Sequence, residues 1–96
     1  MDEQKIKDFI DIVVNQIKSD KDNLDIAIDI AIDFLNKNSI PAEILLGISR
    51  NFEIDNFHEA AYVLSKVTAN FSIGETQVAS HYIAGLSSMF LVSSQP

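Results

Sequence analysis

Apolar residues along this chain recur mostly at intervals of three and four. From Asp2 to Ser19 the positions Ile6, Phe9, Ile10, Val13, Val14 and Ile17 fall on one face of a helix. Asp2 and Glu3 stand at its start, where the helix dipole favours negative charge. "SDKDN" interrupts the pattern, and Asp22 or Asn23 is placed to cap a second helix. The next stretch, "NLDIAIDIAIDFL" from Asn23 to Leu35, is ambiguous by itself. As a strand it has one face of Asp and Ala and another of large aliphatics. As a helix it carries Asp25, Asp29 and Asp33 as one ridge, with the isoleucines, Leu24, Phe34 and Leu35 over a wide apolar arc. A strand needs a partner strand, and no other run in the chain alternates convincingly. The prediction is a helix, buried over most of its circumference.

"NKNSIP" reads as a loop, with Pro41 able to occupy a first helical turn. A short helix comes next, with Ile44, Leu45, Ile48 and Phe52 on one face and Gly47 weakening its middle. "EIDN" carries the next break, and Asp55 is the expected cap of the helix after it. From Phe57 to Phe71 the residues Phe57, Ala60, Ala61, Leu64, Val67 and Phe71 repeat at helical spacing. Whether 41–71 is one kinked helix or two is open at this level. "SIGE", Ser72 to Glu75, matches a capping box and introduces a last helix. Its expected face is Val78, Tyr82, Gly85 or Leu86, and Met89, and its Ser and Gly content makes it depend on packing. The fold class implied is all-α: an antiparallel up-and-down bundle of four to five helices. A single domain covers 1–96, with a loose tail from about residue 92.

Ninety-six residues with 47% apolar content support one ordinary core. The net charge of −7, with basic residues scattered singly, argues against nucleic acid and against an anionic membrane surface. There is no cysteine, hence no disulfide and no thiolate site, which suits a reducing cytosol. The first ten residues lack the layout of a secretion signal, so the expected location is cytoplasmic. Nine of fourteen acids lie at or before Asp33, and after Glu75 the chain is uncharged apart from His81 if it protonates and the terminal carboxylate. That uncharged end carries too many Ser, Gln and Thr residues to read as a membrane span, so no membrane insertion is expected.

Candidate chemistry is sparse. "HEAAY" at His58–Tyr62 begins like a helical zinc motif but lacks the second His. "DKDNLD" at Asp20–Asp25 has Leu where a calcium loop needs a ligand, and no turn glycine. The glycines are isolated, so no phosphate-cradling loop exists, and no Ser sits in a nucleophile-elbow context. The reading is a protein that is not an enzyme and uses no cofactor or metal. Binding is the remaining class. Tyr62, His81, Tyr82, Met89 and Phe90 are residue types that carry interface energy; they lie in the C-terminal half, and all but Tyr62 follow Glu75, where few charges leave desolvation cheapest. Several of them are expected in the core, since Met89 shares a face with Val78 and Tyr82. The ridge of Asp25, Asp29 and Asp33 is an alternative surface for a basic partner.

Three features together resemble the immunity proteins of class II bacteriocins, of the enterocin A and pediocin type. They are the acidic and lysine-rich first helix, the aliphatic second helix ending in "LNKNSIPAEIL", and "NFSIGETQVASHYIAGLSSM" leading into the last helix. The resemblance implies a cytosolic four-helix bundle that protects a producer cell. Its partner would be a membrane sugar-transporter receptor already engaged by the bacteriocin, with specificity in the C-terminal half. Pro41–Phe71 is longer than a single third helix needs, and the chain is acidic where many such proteins are basic. Two further classes remain: a small acidic inhibitor or antitoxin-like protein acting through the Asp ridge, and an oligomerising helical module.

Overall fold

The computed structural model describes residues 3–93 and folds them into five helices: α1 (Glu3–Ser19), α2 (Leu24–Lys37), α3 (Ala42–Ile54), α4 (His58–Asn70) and α5 (Gly74–Ser93). No strand occurs among the described residues, and the chain is the all-α bundle its periodicity predicts. The tail expected from about residue 92 falls largely outside the described residues, and α5 itself continues through Ser93.

The second helix resolves the strand–helix ambiguity in a particular way. A strand would put Ala27 and Ala31 on the same side as the aspartates. In α2 these alanines are the buried centre of the seam, with Leu35 one turn further on, and Asp25, Asp29 and Asp33 face water. The larger Ile28, Ile32 and Phe34 straddle that line and pack against the core from its two sides. Phe34 meets Phe9 of α1 with ring centroids 5.5 Å apart.

The helix buried on nearly its whole circumference is α4, not α2 as expected. Ala60, Ala61, Val63, Leu64, Ser65, Val67, Thr68 and Ala69 are all buried. Each of the other four helices packs on α4, whereas α2 and α3, though consecutive, do not pack on each other. The physical reason is side-chain size. Four small residues among those eight let neighbours approach from several directions. Its hydroxyls meet their needs within the helix: Thr68 Oγ1 donates to the Leu64 carbonyl at 2.6 Å and Ser65 Oγ to the Tyr62 carbonyl at 3.1 Å. The main core joins Phe9, Val13 and Ile17 of α1 with Ala27, Ala31, Leu45, Val63, Leu64 and Val67, and Ile40 closes it from the α2–α3 connection.

Segment 41–71 is two helices, and the break is a Schellman motif. Asn56 adopts φ 64, a left-handed conformation that Asn tolerates better than most residues. Its N–H bonds to the Glu53 carbonyl at 3.1 Å, and the Phe57 N–H bonds to the Phe52 carbonyl at 2.9 Å. Phe52 and Phe57 complete the motif with an edge-to-face contact, centroids 5.5 Å apart. Asp55 therefore closes α3, as its C-cap, instead of opening α4. Gly47 does not shorten α3, which has the same 13 residues as α4. The expected capping box at "SIGE" does not form: Ser72 Oγ donates back to the Thr68 carbonyl at 2.7 Å, and Gly74 turns the chain with φ +65. Gln77 ties the new helix to the old by donating from Nε2 to the Ala69 carbonyl at 3.1 Å.

Candidate interaction surface

The last helix is longest, at 20 residues, yet it gives the core little bulk. Among its described side chains the buried line is Ser80, Ile83, Ala84 and Ser87, set against α4 and α3, and only Ile83 of these is large. Ile83 joins Leu46 and Ala61 in a second, smaller cluster that Phe52 and Ala79 flank. The small residues allow close seating, and their hydroxyls are satisfied. Ser80 Oγ donates to the Thr76 carbonyl at 2.7 Å and Ser87 Oγ to Glu53 Oε2 at 2.7 Å.

The opposite side of α5 carries the larger groups. Val78, Tyr82 and Met89 are 69%, 67% and 67% exposed, with Gly85 also exposed between Tyr82 and Met89. These four positions are spaced by four, three and four residues, so they form one stripe along the helix. Their spacing and size predict the face that supplies the core. The structure turns that face outward, because α4 offers a surface of small side chains that Ser80, Ala84 and Ser87 fit and larger groups would not.

Tyr82 stands between two shallow apolar hollows. One is formed with Gly74, Glu75, Gln77, Val78 and Ala79, and the other with Arg50, Glu53, Ile54 and Leu86 where α5 meets α3. Ile54 is itself highly exposed at the rim. The remaining candidates are dispersed. His81 lies on the flank of α5 away from α3, over a hollow lined by Ile28, Lys66, Ala69, Asn70 and Gln77. Tyr62 is half-buried against the main core, with Lys66 Nζ 5.8 Å from its ring centre. Of the five predicted residues, the structure brings Tyr82 and Met89 onto one stripe and sets Tyr62, His81 and Phe90 elsewhere.

Phe90 belongs to a polar–aromatic cluster that sequence reasoning missed. Its ring stacks on His58 with centroids 4.1 Å apart and planes within 1°. His58 Nδ1 lies 3.2 Å from Glu53 Oε2, the same oxygen that accepts from Ser87. Ser, His and Glu together suggest a hydrolytic triad in composition, but the connectivity differs. Ser87 Oγ donates its hydrogen bond to the carboxylate and not to the imidazole, so the serine is not paired with a base as a nucleophile would be. What the cluster does is mechanical: it fastens α5 to the corner between α3 and α4 through groups 34 residues apart in the chain.

The acidic ridge is as anticipated on α2. All three aspartates are exposed, and Asp33 pairs with Lys37 at 3.3 Å, an exposed contact of small energetic weight. Among the described residues no group of three or more His, Asp or Glu side chains is placed to hold a metal ion. No described helix is long and apolar enough to cross a membrane. No protein-family model matches the chain, and neither a curated protein nor a solved structure matches it.

Proposed function

We propose that this protein is a non-enzymatic helical interaction protein that binds a protein partner through the outward face of α5. In the cell it acts as a cytoplasmic immunity protein, recognising a membrane receptor of the sugar-transporter type that is engaged by a class II bacteriocin. The observation that carries the binding role is the exposed stripe of Val78, Tyr82 and Met89 on a helix without charge after Glu75. Covering these side chains removes apolar surface from water at roughly 25 cal/mol per Å², and the ionised groups beside them, Glu75, Arg50 and Glu53, stand at the edges of the stripe and not within it. The cluster at Glu53 and the Gln77 contact hold the helix in place beforehand, which lowers the ordering cost of binding. The immunity role is supported by the resemblance of the sequence, whose implied specificity region coincides with this helix.

The test is expression in a strain sensitive to class II bacteriocins. Wild type should protect, Tyr82→Glu and Met89→Glu should lose protection while keeping wild-type circular dichroism, and the triple Asp25, Asp29, Asp33→Asn variant should still protect. Full protection by Tyr82→Glu would show that the surface lies elsewhere. A wild-type chain that protects against no class II bacteriocin overturns the immunity role.

A second reading draws on the three exposed aspartates of α2, which make a surface for a basic partner, as an acidic inhibitor would use. It predicts salt-sensitive binding that the triple Asp→Asn variant loses. Salt-insensitive binding unchanged in that variant excludes it.

A further inference from the structure

The outward stripe of α5 is self-complementary, and we infer that it pairs with the same stripe of a second copy, antiparallel, about a two-fold axis midway between Ile83 and Ala84. This inference rests on the reading of α5 as the binding face and names one occupant for it. Val78, Tyr82, Gly85 and Met89 have the four–three–four spacing of a coiled-coil seam. That spacing is symmetric about its own midpoint. In an antiparallel pair centred there, Tyr82 of each copy faces Gly85 of the other, and Val78 faces Met89. The largest side chain of the stripe thus meets the position with none. A Cβ built at Gly85 finds nothing within 4 Å, so the space over it is open. Such reciprocal contact, i to j and j to i, is what an isologous interface requires.

Charge selects the same arrangement. The whole chain carries −7, and most of its surfaces would repel a copy. The described part of α5 has one charged residue, Glu75, near its start. A parallel pair would set Glu75 against Glu75. The antiparallel pair sends them to opposite ends of the seam, about 26 Å apart along the axis. A seam of four positions is smaller than the standard interface of ~800 Å² per partner, so the dimer belongs to the weak, reversible class.

Sedimentation velocity from micromolar to millimolar protein should show a reversible monomer–dimer equilibrium. Gly85→Leu fills the hollow that Tyr82 of the partner occupies. It should weaken dimerisation about tenfold or more by overpacking, while leaving the monomer folded, since Gly85 is exposed and a Cβ added there meets no other part of the chain within 4 Å. The register has its own test, because the chain has no cysteine. The Val78→Cys, Met89→Cys double variant should oxidise to a covalent dimer, and Val78→Cys alone should not. Within one helix those two positions are about 16 Å apart, too far for an internal bridge. A strict monomer at millimolar concentration overturns the inference, and so does cross-linking by Val78→Cys alone, which would mean a parallel pair. If the chain is monomeric while Tyr82→Glu still abolishes protection, the self-pairing is wrong and α5 as a binding face stands. If dimerisation holds and Tyr82→Glu still protects, the face serves self-association only.

Discussion

Glu53 Oε2 accepts a hydrogen bond from Ser87 at 2.7 Å and lies 3.2 Å from His58 Nδ1, and so joins three helices at a point. Removing it orphans a fully buried hydroxyl, which costs more than the bond alone contributes. Glu53→Ala should therefore destabilise the protein by about 1–3 kcal/mol in urea unfolding. An unchanged midpoint would mean that the cluster does not fasten α5. Asn56 makes a different demand, on the backbone. At φ 64 a β-branched side chain is strained, so Asn56→Val should cost about 1–3 kcal/mol, whereas Asn56→Gly should be near neutral. Equal stability of the two variants would show that the left-handed turn is not maintained. Neither residue is distinctive in the sequence, because each acts through partners that only the fold brings together.

At the scale of elements, what spacing can report is which residues share a face, and what it cannot report is which way the face turns. Val78, Tyr82 and Met89 do share one, as their intervals predict, but the assumption that large apolar groups mark the inner side fails for α5. The signal that points the other way is a second stripe, Ser80, Ala84 and Ser87, at intervals of four and three on the opposite side. It reads as polar until one sees that each hydroxyl is satisfied by its own helix or by Glu53. The same misreading hid the central place of α4, whose Ser65 and Thr68 behave as small core residues. For α1 size and depth agree, and its pattern was legible throughout. Tyr82 and Met89 were legible as interface candidates from residue type and the lack of nearby charge. The two stripes predict opposite responses. Ala84→Leu should cost about 1–3 kcal/mol by overpacking against α4, and Leu64→Ala about 2–5 kcal/mol by opening the core. Met89→Ala should stay within about 0.5 kcal/mol of wild type, as exposed substitutions do. Urea midpoints that rank Met89→Ala with Leu64→Ala would reverse the facing of α5.

For the whole molecule, the consequence is a bundle whose centre is a helix of small residues and whose last helix turns its bulk outward. Burying Val78, Tyr82 and Met89 against a partner, whether a receptor complex or a second copy, would supply the apolar contact that the bundle leaves unmade. The acidic residues along α1 and α2 then serve solubility, and neutralising Asp25, Asp29 and Asp33 should leave binding through α5 intact. Such a role requires the outward stripe to be dispensable for folding. The most direct measurement is urea unfolding of the Val78→Ser, Tyr82→Ser, Met89→Ser triple variant at low micromolar concentration, which disfavours self-association. The expected stability is within about 1 kcal/mol of wild type, since three exposed side chains are replaced by three others. A loss of about 4 kcal/mol or more would show these residues to be core, and would contradict an outward-facing stripe.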